Sequence, residues 1–369
     1  MTSQSDFGLY VHVPFCERKC GYCSFYSVIV NDSRVDSWLH ELEANLEILR
    51  EKFLGNYGGK IRIRTLYFGG GTPSVLGISV WEKLFGILRE NFVLENCVEA
   101  TVEANPNSLN ENLLSFLRDN HVTRISLGVQ SLNDHELEIL GRLHDSKQAL
   151  HALELVKNYG FDLNADLIFA IPEQNIRSWD KSLSGVINSG ADHISTYQLT
   201  LEPDSRMYAS FGNVDFNVNG YYFYRYAQYV LPRKNFQQYE ISNFATENHE
   251  CIHNLSYWKQ ENMLALGRSA SGYIDGTRYK FSHENSELEL ESEKLDINAR
   301  AREAAILLLR TKYGIAKREF ISEFGSENFS SIERILKQMP DDLFVRTREN
   351  LALSAKGMRV GNAIWSEII

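Results

Sequence analysis

The chain has 369 residues, 43% of them apolar and 23% charged, a globular balance that excludes a disordered chain and leaves room for one large domain plus a smaller one. With 38 Lys and Arg against 48 Asp and Glu, the net charge of -10 excludes a whole-surface attraction to nucleic acid or anionic lipid. No apolar run approaches the ~20 residues of a membrane helix, and the polar stretch Met1 to Phe7 lacks a secretory pattern, so a cytoplasmic protein is expected.

In chain order, short β-rich runs are predicted at Leu9 to Val13, Ile61 to Phe68, Val98 to Glu103, Arg124 to Val129, Asp162 to Phe169 and His193 to Gln198. Helix patterns lie between them: Arg34 to Phe53, Val80 to Asn91, Glu111 to Asn120, Asp134 to Tyr159 (read as two helices) and Ser178 to Ser189. This alternation predicts an α/β fold, with parallel strands joined by crossover helices. Polar or glycine-rich residues follow nearly every strand, as at Gly69-Gly70-Gly71-Thr72, Glu103 to Pro106 and Gln130-Ser131. Chemistry at the ends of many strands favours a barrel over an open sheet, and six units make a partial one.

Past Gly220 the alternation stops, and the chain divides into a core over 1–232, a middle segment over 233–296 and a C-terminal segment over 297–369. An aromatic-rich helix is expected at Tyr221 to Val230, and the acidic run Glu284 to Glu293 reads as a solvated linker or helix face. From Ile297 on, helices to Lys312, at Lys317 to Phe324 and at Ser330 to Met339 precede a hairpin, Leu343 to Leu353, turning at Glu349-Asn350. A closing helix runs from Ala355 to Ile368, and the whole resembles a winged helix. Its 12 Lys and Arg against 9 Asp and Glu are too small an excess to predict nucleic-acid binding, so a structural or docking module is expected.

Of five cysteines, three fall within eight residues as C-x3-C-x2-C, at Cys16, Cys20 and Cys23, directly after the first strand; Cys97 and Cys251 stand apart. An odd, clustered set is a poor disulfide framework and a candidate metal site. Zinc would want a fourth ligand and usually a paired C-x2-C, which the chain does not offer. Four cysteines normally hold a 4Fe-4S cluster. Three would leave one iron open to a substrate or cosubstrate.

With Tyr22 before its third cysteine, this motif resembles the signature of radical S-adenosylmethionine (radical SAM) enzymes. The resemblance implies a partial (β/α)6 TIM-type barrel, a 4Fe-4S cluster on Cys16, Cys20 and Cys23, and SAM chelated by the open iron. Tyr10 to Cys16, Gly69 to Ser74, Gly128 to Ser131, Leu140 to His144, Asp166-Leu167-Ile168 with Pro172, and Tyr239 to Ala245 are similar to the branch containing oxygen-independent coproporphyrinogen III oxidase. By that resemblance Tyr10, Tyr22, Gly70, Gly71, Thr72, Glu103, Gln130, Arg142 and Asp166 would contact SAM. Glu103, Gln130 and Asp166 would supply partners for ribose hydroxyls and an amino group, and Tyr22 could lie against the adenine. Arg142 could fork onto the methionine carboxylate.

Within the branch, the resemblance favours the heme chaperones of the HemW type over the oxidases. Oxidases show a fourth cysteine where this chain has Phe25, and a long extension ahead of the first strand, which here begins at Leu9. His253-Asn254-Leu255-Ser256-Tyr257-Trp258 resembles the chaperones' H-N-x-x-Y-W motif. Arg268, in the glycine-rich turn that follows, and Ala170 depart from the family's pattern, standing where a small residue and a glycine are usual. His253, beside Asn254 as a further heme candidate, reads either as a heme-iron ligand or edge contact to a porphyrin, with Trp258 or Tyr257 stacking on the macrocycle, or as a hydrogen-bonded histidine at a helix start over an aromatic core. Cys251 is a second candidate ligand, and Cys97 reads as structural. The function implied is heme binding and transfer to an acceptor protein, with decarboxylation of coproporphyrinogen III by a SAM-derived radical as the alternative. No catalytic residue, acceptor or oligomeric state is read from the sequence.

Overall fold

Asp6–Val13 (β1), Ile61–Gly70 (β2), Glu99–Ala104 (β3), Arg124–Gln130 (β4), Asp162–Phe169 (β5) and His193–Gln198 (β6) pair in parallel, each beside its successor in the chain. They form a partial (β/α)6 barrel with helices outside. The computed structural model describes residues 6–55, 57, 59–203, 205–211, 216–284 and 287–369; residues 1–5 of the polar N-terminal stretch lie outside these.

Each strand puts alternate side chains on opposite faces. On β1, Phe7, Leu9, Val11 and Val13 are fully buried toward the helices, and Ile125, Leu127 and Val129 do the same on β4. The intervening residues, among them Tyr10, Thr65, Glu103, Ser126, Asn164 and His193, point into the barrel, so its interior is polar and hydrogen-bonded. The crossover helices start on side chains suited to capping. Asn31, Asn110, Asp145 and Asn175 each accept a backbone N–H of the first turn, the last two within full capping boxes.

The middle segment continues the same sheet at both edges. Asn243–Ala245 pairs antiparallel with β6, while Met263–Leu266 pairs in parallel with β1. Ser271–Ile274, Thr277–Glu284 and Glu287–Lys294 follow outward as antiparallel strands. From Glu287 to Glu293 the acidic run is therefore a strand, correcting the expectation of a linker or helix face. Its glutamates recur every second residue, leaving Glu289, Glu291 and Glu293 exposed while Leu288 and Leu290 are half-buried on the other face.

The C-terminal segment has a core of its own, in which Ala305, Leu309, Phe320, Phe329, Ile332, Leu336 and Ile364 meet. Helices Ile297–Leu309, Lys317–Phe324 and Ser326–Leu336 accompany a three-stranded sheet ordered Ile315–Ala316, Asn350–Leu353, Phe344–Arg346, a winged-helix-like arrangement. Two local expectations are corrected. The hairpin turns over Thr347 to Glu349, because the Thr347 N–H donates to the Asn350 carbonyl at 2.9 Å and Asn350 already opens the return strand. The closing helix is two, Ala355–Met358 and Gly361–Ile368, the first capped by Ser354 and ending at Arg359. No helix among the described residues is long and apolar enough to cross a membrane.

Candidate cofactor site at the barrel mouth

The cysteine loop leaves the end of β1, and three other loops hold it. Gly71 N–H donates to the Val13 carbonyl at 2.8 Å and Thr72 N–H to the Phe15 carbonyl at 2.7 Å. This approach requires glycine: a Cβ at Gly71 would lie 2.6 Å from the Phe15 oxygen, and one at Gly70, where φ is 109°, would lie 2.4 Å from the His12 ring. The Leu140 to His144 loop grips the far side. Gly21 N–H reaches the Leu140 carbonyl at 3.3 Å, and Arg18 donates to the carbonyls of Gly141 and Arg142 at 2.7 and 3.1 Å. Met207 N–H closes the frame on the Gly21 carbonyl at 2.9 Å.

Cys16, Cys20 and Cys23 are all half-buried free thiols. Burial pushes the Cys16 and Cys23 thiols up, and the neighbouring cysteines add to it. A bound metal would reverse that sign, since it takes thiolates. Thr72 Oγ1 donates to Cys16 Sγ at 3.6 Å, and Arg142 Nη1 donates to Cys20 Sγ at 3.3 Å. Arg142 Nη2 donates to Asn105 Oδ1 at 2.5 Å and to the Gly128 carbonyl at 2.9 Å, while Asn105 Nδ2 donates to Thr72 Oγ1 at 2.9 Å. The Arg142 Nε is buried with no partner, an orphaned donor beside the thiols. Three thiols and an unspent cationic donor fit a sulfur-ligated cluster with an anionic group next to it.

Deeper in the mouth, Glu103 accepts the Tyr67 hydroxyl at 2.9 Å and the Gly70 N–H at 3.0 Å. Burial, with the charge of Asp166 added to it, pushes Glu103 up to about 7. Asp166 accepts Ser126 Oγ at 2.9 Å and Asn164 Nδ2 at 2.8 Å, the partners its strand position demands, and burial raises it despite these donors. Gln130 stands at the bulge between β4 and β5 with φ of 66°. The Tyr10 hydroxyl meets His12 Nδ1 at 3.2 Å, and Tyr22 packs against Leu140, Ile168 and Met207. Thus Tyr10, Tyr22, Gly70, Gly71, Thr72, Glu103, Gln130, Arg142 and Asp166 gather at the mouth of the barrel with the three cysteines.

Sequence reasoning passed over Asn105, Arg18 and His12. Asn105 carried a signal, a polar residue between a strand end and a proline. Arg18 carried none, since its partners lie more than a hundred residues away. His12 Nε2 meets the Tyr26 carbonyl at 3.0 Å, tying down the far end of the cysteine loop. Arg268 donates to the Tyr26 hydroxyl at 2.8 Å, so this departure from the family's pattern also touches the loop. Ala170, the other departure, has φ of 61°, a conformation glycine adopts freely and alanine at a cost of roughly 1–2 kcal/mol.

The heme candidates lie at the opposite end of the barrel. The helix Ile252–Trp258 plugs the floor, with Glu99 accepting the N–H groups of Ile252 and His253 at 2.8 and 2.9 Å. His253 is 6% exposed; its Nδ1 meets Thr65 Oγ1 at 2.9 Å, its ring lies 5.1 Å from that of Tyr67, and burial drops it to about 3. It therefore occupies the position of a hydrogen-bonded histidine at a helix start over an aromatic ring. Cys251 is buried too, its Sγ donating to Glu99 at 3.3 Å. Tyr257 is exposed, Asn254 is half-buried, and Trp258 stacks on the Arg310 guanidinium 4.5 Å away. Tyr257 borders a cleft of about 510 Å³ in which Glu261, Glu291, Glu293 and Glu303 outnumber Arg278 and Lys280, a charge that opposes a dianionic porphyrin.

The family model described as Radical SAM superfamily matches residues 10–184. Over 378 residues the chain is 30% identical to "Heme chaperone HemW" of Lactococcus lactis subsp. lactis, covering 98% of this chain and 96% of that one. Over 379 residues it is 29% identical to "Heme chaperone HemW" of Bacillus subtilis, covering 98% of each. Among solved structures, coproporphyrinogen III oxidase (HemN) from Escherichia coli, a radical SAM enzyme, superposes with a TM-score of 0.83 over 99% of this chain and 90% of that one. At 20% identity this likeness shows the fold alone.

Proposed function

The chain belongs to the radical SAM superfamily and, within it, to the family of HemW heme chaperones, and from that premise we propose that it binds heme and transfers it to an acceptor protein. The observation that carries the proposal is identity near 30% along almost the whole chain to proteins named as heme chaperones. The site at the barrel mouth supports the cofactor half of it. Cys16, Cys20 and Cys23 would hold a 4Fe-4S cluster, which supplies an iron open to SAM and an electron. Arg142 would take the methionine carboxylate on its unpartnered Nε, and Glu103 and Asp166 would accept from the amino group and ribose hydroxyls.

Phe25, 67% exposed at the position where the oxidases show a fourth cysteine, favours transfer over oxidative decarboxylation. The oxidase reading rests on the shared fold, which does not by itself assign chemistry. For heme, support comes from the relatives' name, with Asn254 and Tyr257 facing outward on the motif helix. Ligation of heme iron by His253 requires that helix to leave the barrel floor. The segment 297–369 serves as a docking module in this reading, the acceptor being a protein and not a nucleic acid. The place of action is the cytoplasm.

Two assays on one anaerobically reconstituted preparation test the proposal. The expected result is a heme Soret band that passes to an apo-b-type cytochrome, with no decarboxylation of coproporphyrinogen III in the presence of SAM and reductant. Protoporphyrinogen formation would overturn it in favour of the oxidase. An unmoved Soret band in His253→Ala would remove that residue from the ligand set.

A further inference from the structure

A line of buried side chains crosses the barrel from its floor to Asp166. Cys251 N–H donates to the Tyr239 hydroxyl at 3.3 Å, and that hydroxyl lies 2.8 Å from His193 Nε2. His193 Nδ1 lies 2.6 Å from Asn164 Oδ1, and Asn164 Nδ2 donates to Asp166 Oδ1 at 2.8 Å. The same amide donates to Ser126 Oγ at 2.7 Å, which donates to Asp166 Oδ2 at 2.9 Å. Tyr239, His193 and Asn164 are all buried.

The two ends of this line fix its direction. A backbone N–H can only donate and an ionised carboxylate can only accept. With the Cys251 N–H on its oxygen, the Tyr239 hydroxyl has its proton free for His193 Nε2. That leaves His193 with its own proton on Nδ1, directed at Asn164 Oδ1. Ser195 Oγ, 3.1 Å from the same oxygen, donates in the same sense. Asn164 is thereby prevented from flipping, and its NH2 rather than its oxygen faces Asp166. Burial holds His193 well below its ordinary range, so the ring stays neutral and keeps one acceptor.

We propose that Tyr239 and His193 are positioning residues which, by setting the orientation of the Asn164 amide, hold the Asp166 carboxylate as an acceptor facing the SAM site. This rests on the reading of Asp166 as a SAM contact. It also gives a role to the Tyr239 to Ala245 motif, which the cofactor site leaves unused. The Tyr239 carbonyl accepts Lys312 N–H from the C-terminal module at 2.8 Å, so one residue holds that module by its main chain and the relay by its side chain.

The test uses the cluster-loaded full chain. In long-range proton–nitrogen spectra of labelled imidazoles, wild-type His193 carries its proton on Nδ1, and it keeps it there in Tyr239→Phe, since the Asn164 oxygen still faces that nitrogen. Equilibrium dialysis shows that Tyr239→Phe raises the Kd for SAM roughly tenfold. His193→Asn, whose amide still donates to Asn164, stays within about twofold of wild type, whereas His193→Leu matches Tyr239→Phe. In an Asp166→Asn background the effect of Tyr239→Phe disappears. A wild-type His193 with its proton on Nε2, or equal losses in His193→Asn and His193→Leu, would overturn the relay. If Asp166→Asn alone leaves SAM affinity unchanged, the SAM reading of Asp166 fails, and the relay then stands or falls on the tautomer. If Tyr239→Phe does not fold, the two His193 variants decide.

Discussion

Arg142 donates to the sulfur of Cys20 across 3.3 Å, joining residues 122 positions apart and placing a guanidinium against a thiol of the cysteine loop. The same side chain reaches Asn105 and the Gly128 carbonyl, so it ties the cysteine loop to the ends of β3 and β4. A lysine cannot serve these partners at once. Arg142→Lys is therefore expected to speed chelator-driven iron loss and weaken SAM binding, each by roughly tenfold. Iron release by absorbance and SAM affinity by dialysis check this; unchanged values would remove Arg142 from the site.

Gly71→Ala tests the frame around the loop. The added methyl would meet the Phe15 backbone, which cannot give way without moving Cys16. The expected cost is about 1–3 kcal/mol of stability, together with iron and sulfide content well below that of wild type. Gly77→Ala, where the methyl meets open space, is the control and retains full iron.

Glu103 predicts a pH effect of definite sign. Its folded-state value of about 7 exceeds the ~4.3 of a free side chain, so between these values the folded protein keeps a proton that the unfolded chain has lost. The stabilisation is full below about pH 4.3 and fades as the pH rises through 7. Urea unfolding from pH 5 to 8 should therefore show wild type losing up to about 3 kcal/mol relative to Glu103→Gln as the pH rises. A constant difference between the two proteins would contradict the assignment.

Arg310 sits between the rings of Trp258 and Trp365, 4.5 and 4.7 Å away, with Glu240 nearby. Burial pushes Glu240 up to about 7, and the Arg310 charge works against that rise. Arg310→Ala removes both stacking contacts and leaves Glu240 uncompensated, at an expected cost of about 2–4 kcal/mol. Calorimetry should show the C-terminal module melting ahead of the barrel. A single transition at the wild-type temperature would show that the stack does not hold it.

The six barrel strands were legible because each is long, bears β-branched or aromatic residues and alternates with an amphipathic helix. Cys16, Cys20 and Cys23 stand out as a candidate site by spacing alone. What failed depended on distant contacts. Asn243–Ala245 and Met263–Leu266 are too short to show a period and exist as strands only because β6 and β1 offer them edges. The run after Glu284 was read for its charge when its two-residue period carried the information. The break at Arg359 follows from packing, since nothing local in Ala355 to Ile368 interrupts a helix. His253 illustrates the limit at the site: a motif can place a histidine beside a tyrosine and a tryptophan, but its depth in the barrel floor depends on Glu99 and Thr65.

Asn243–Ala245 beside β6 and Met263–Leu266 beside β1, at the two sides of the open barrel, are successive strands of the chain, and the helix that joins them is bonded to Glu99 in the floor. The ring that backbone pairing leaves open is thus completed by a covalent strap. Opening the seam stretches that strap and pulls the floor helix from Glu99, so the two ends of the barrel cannot loosen independently. A chain cut within the strap would lose this hoop while keeping every strand, which makes a stretch that reads as an ordinary connection the least tolerant place to divide the protein.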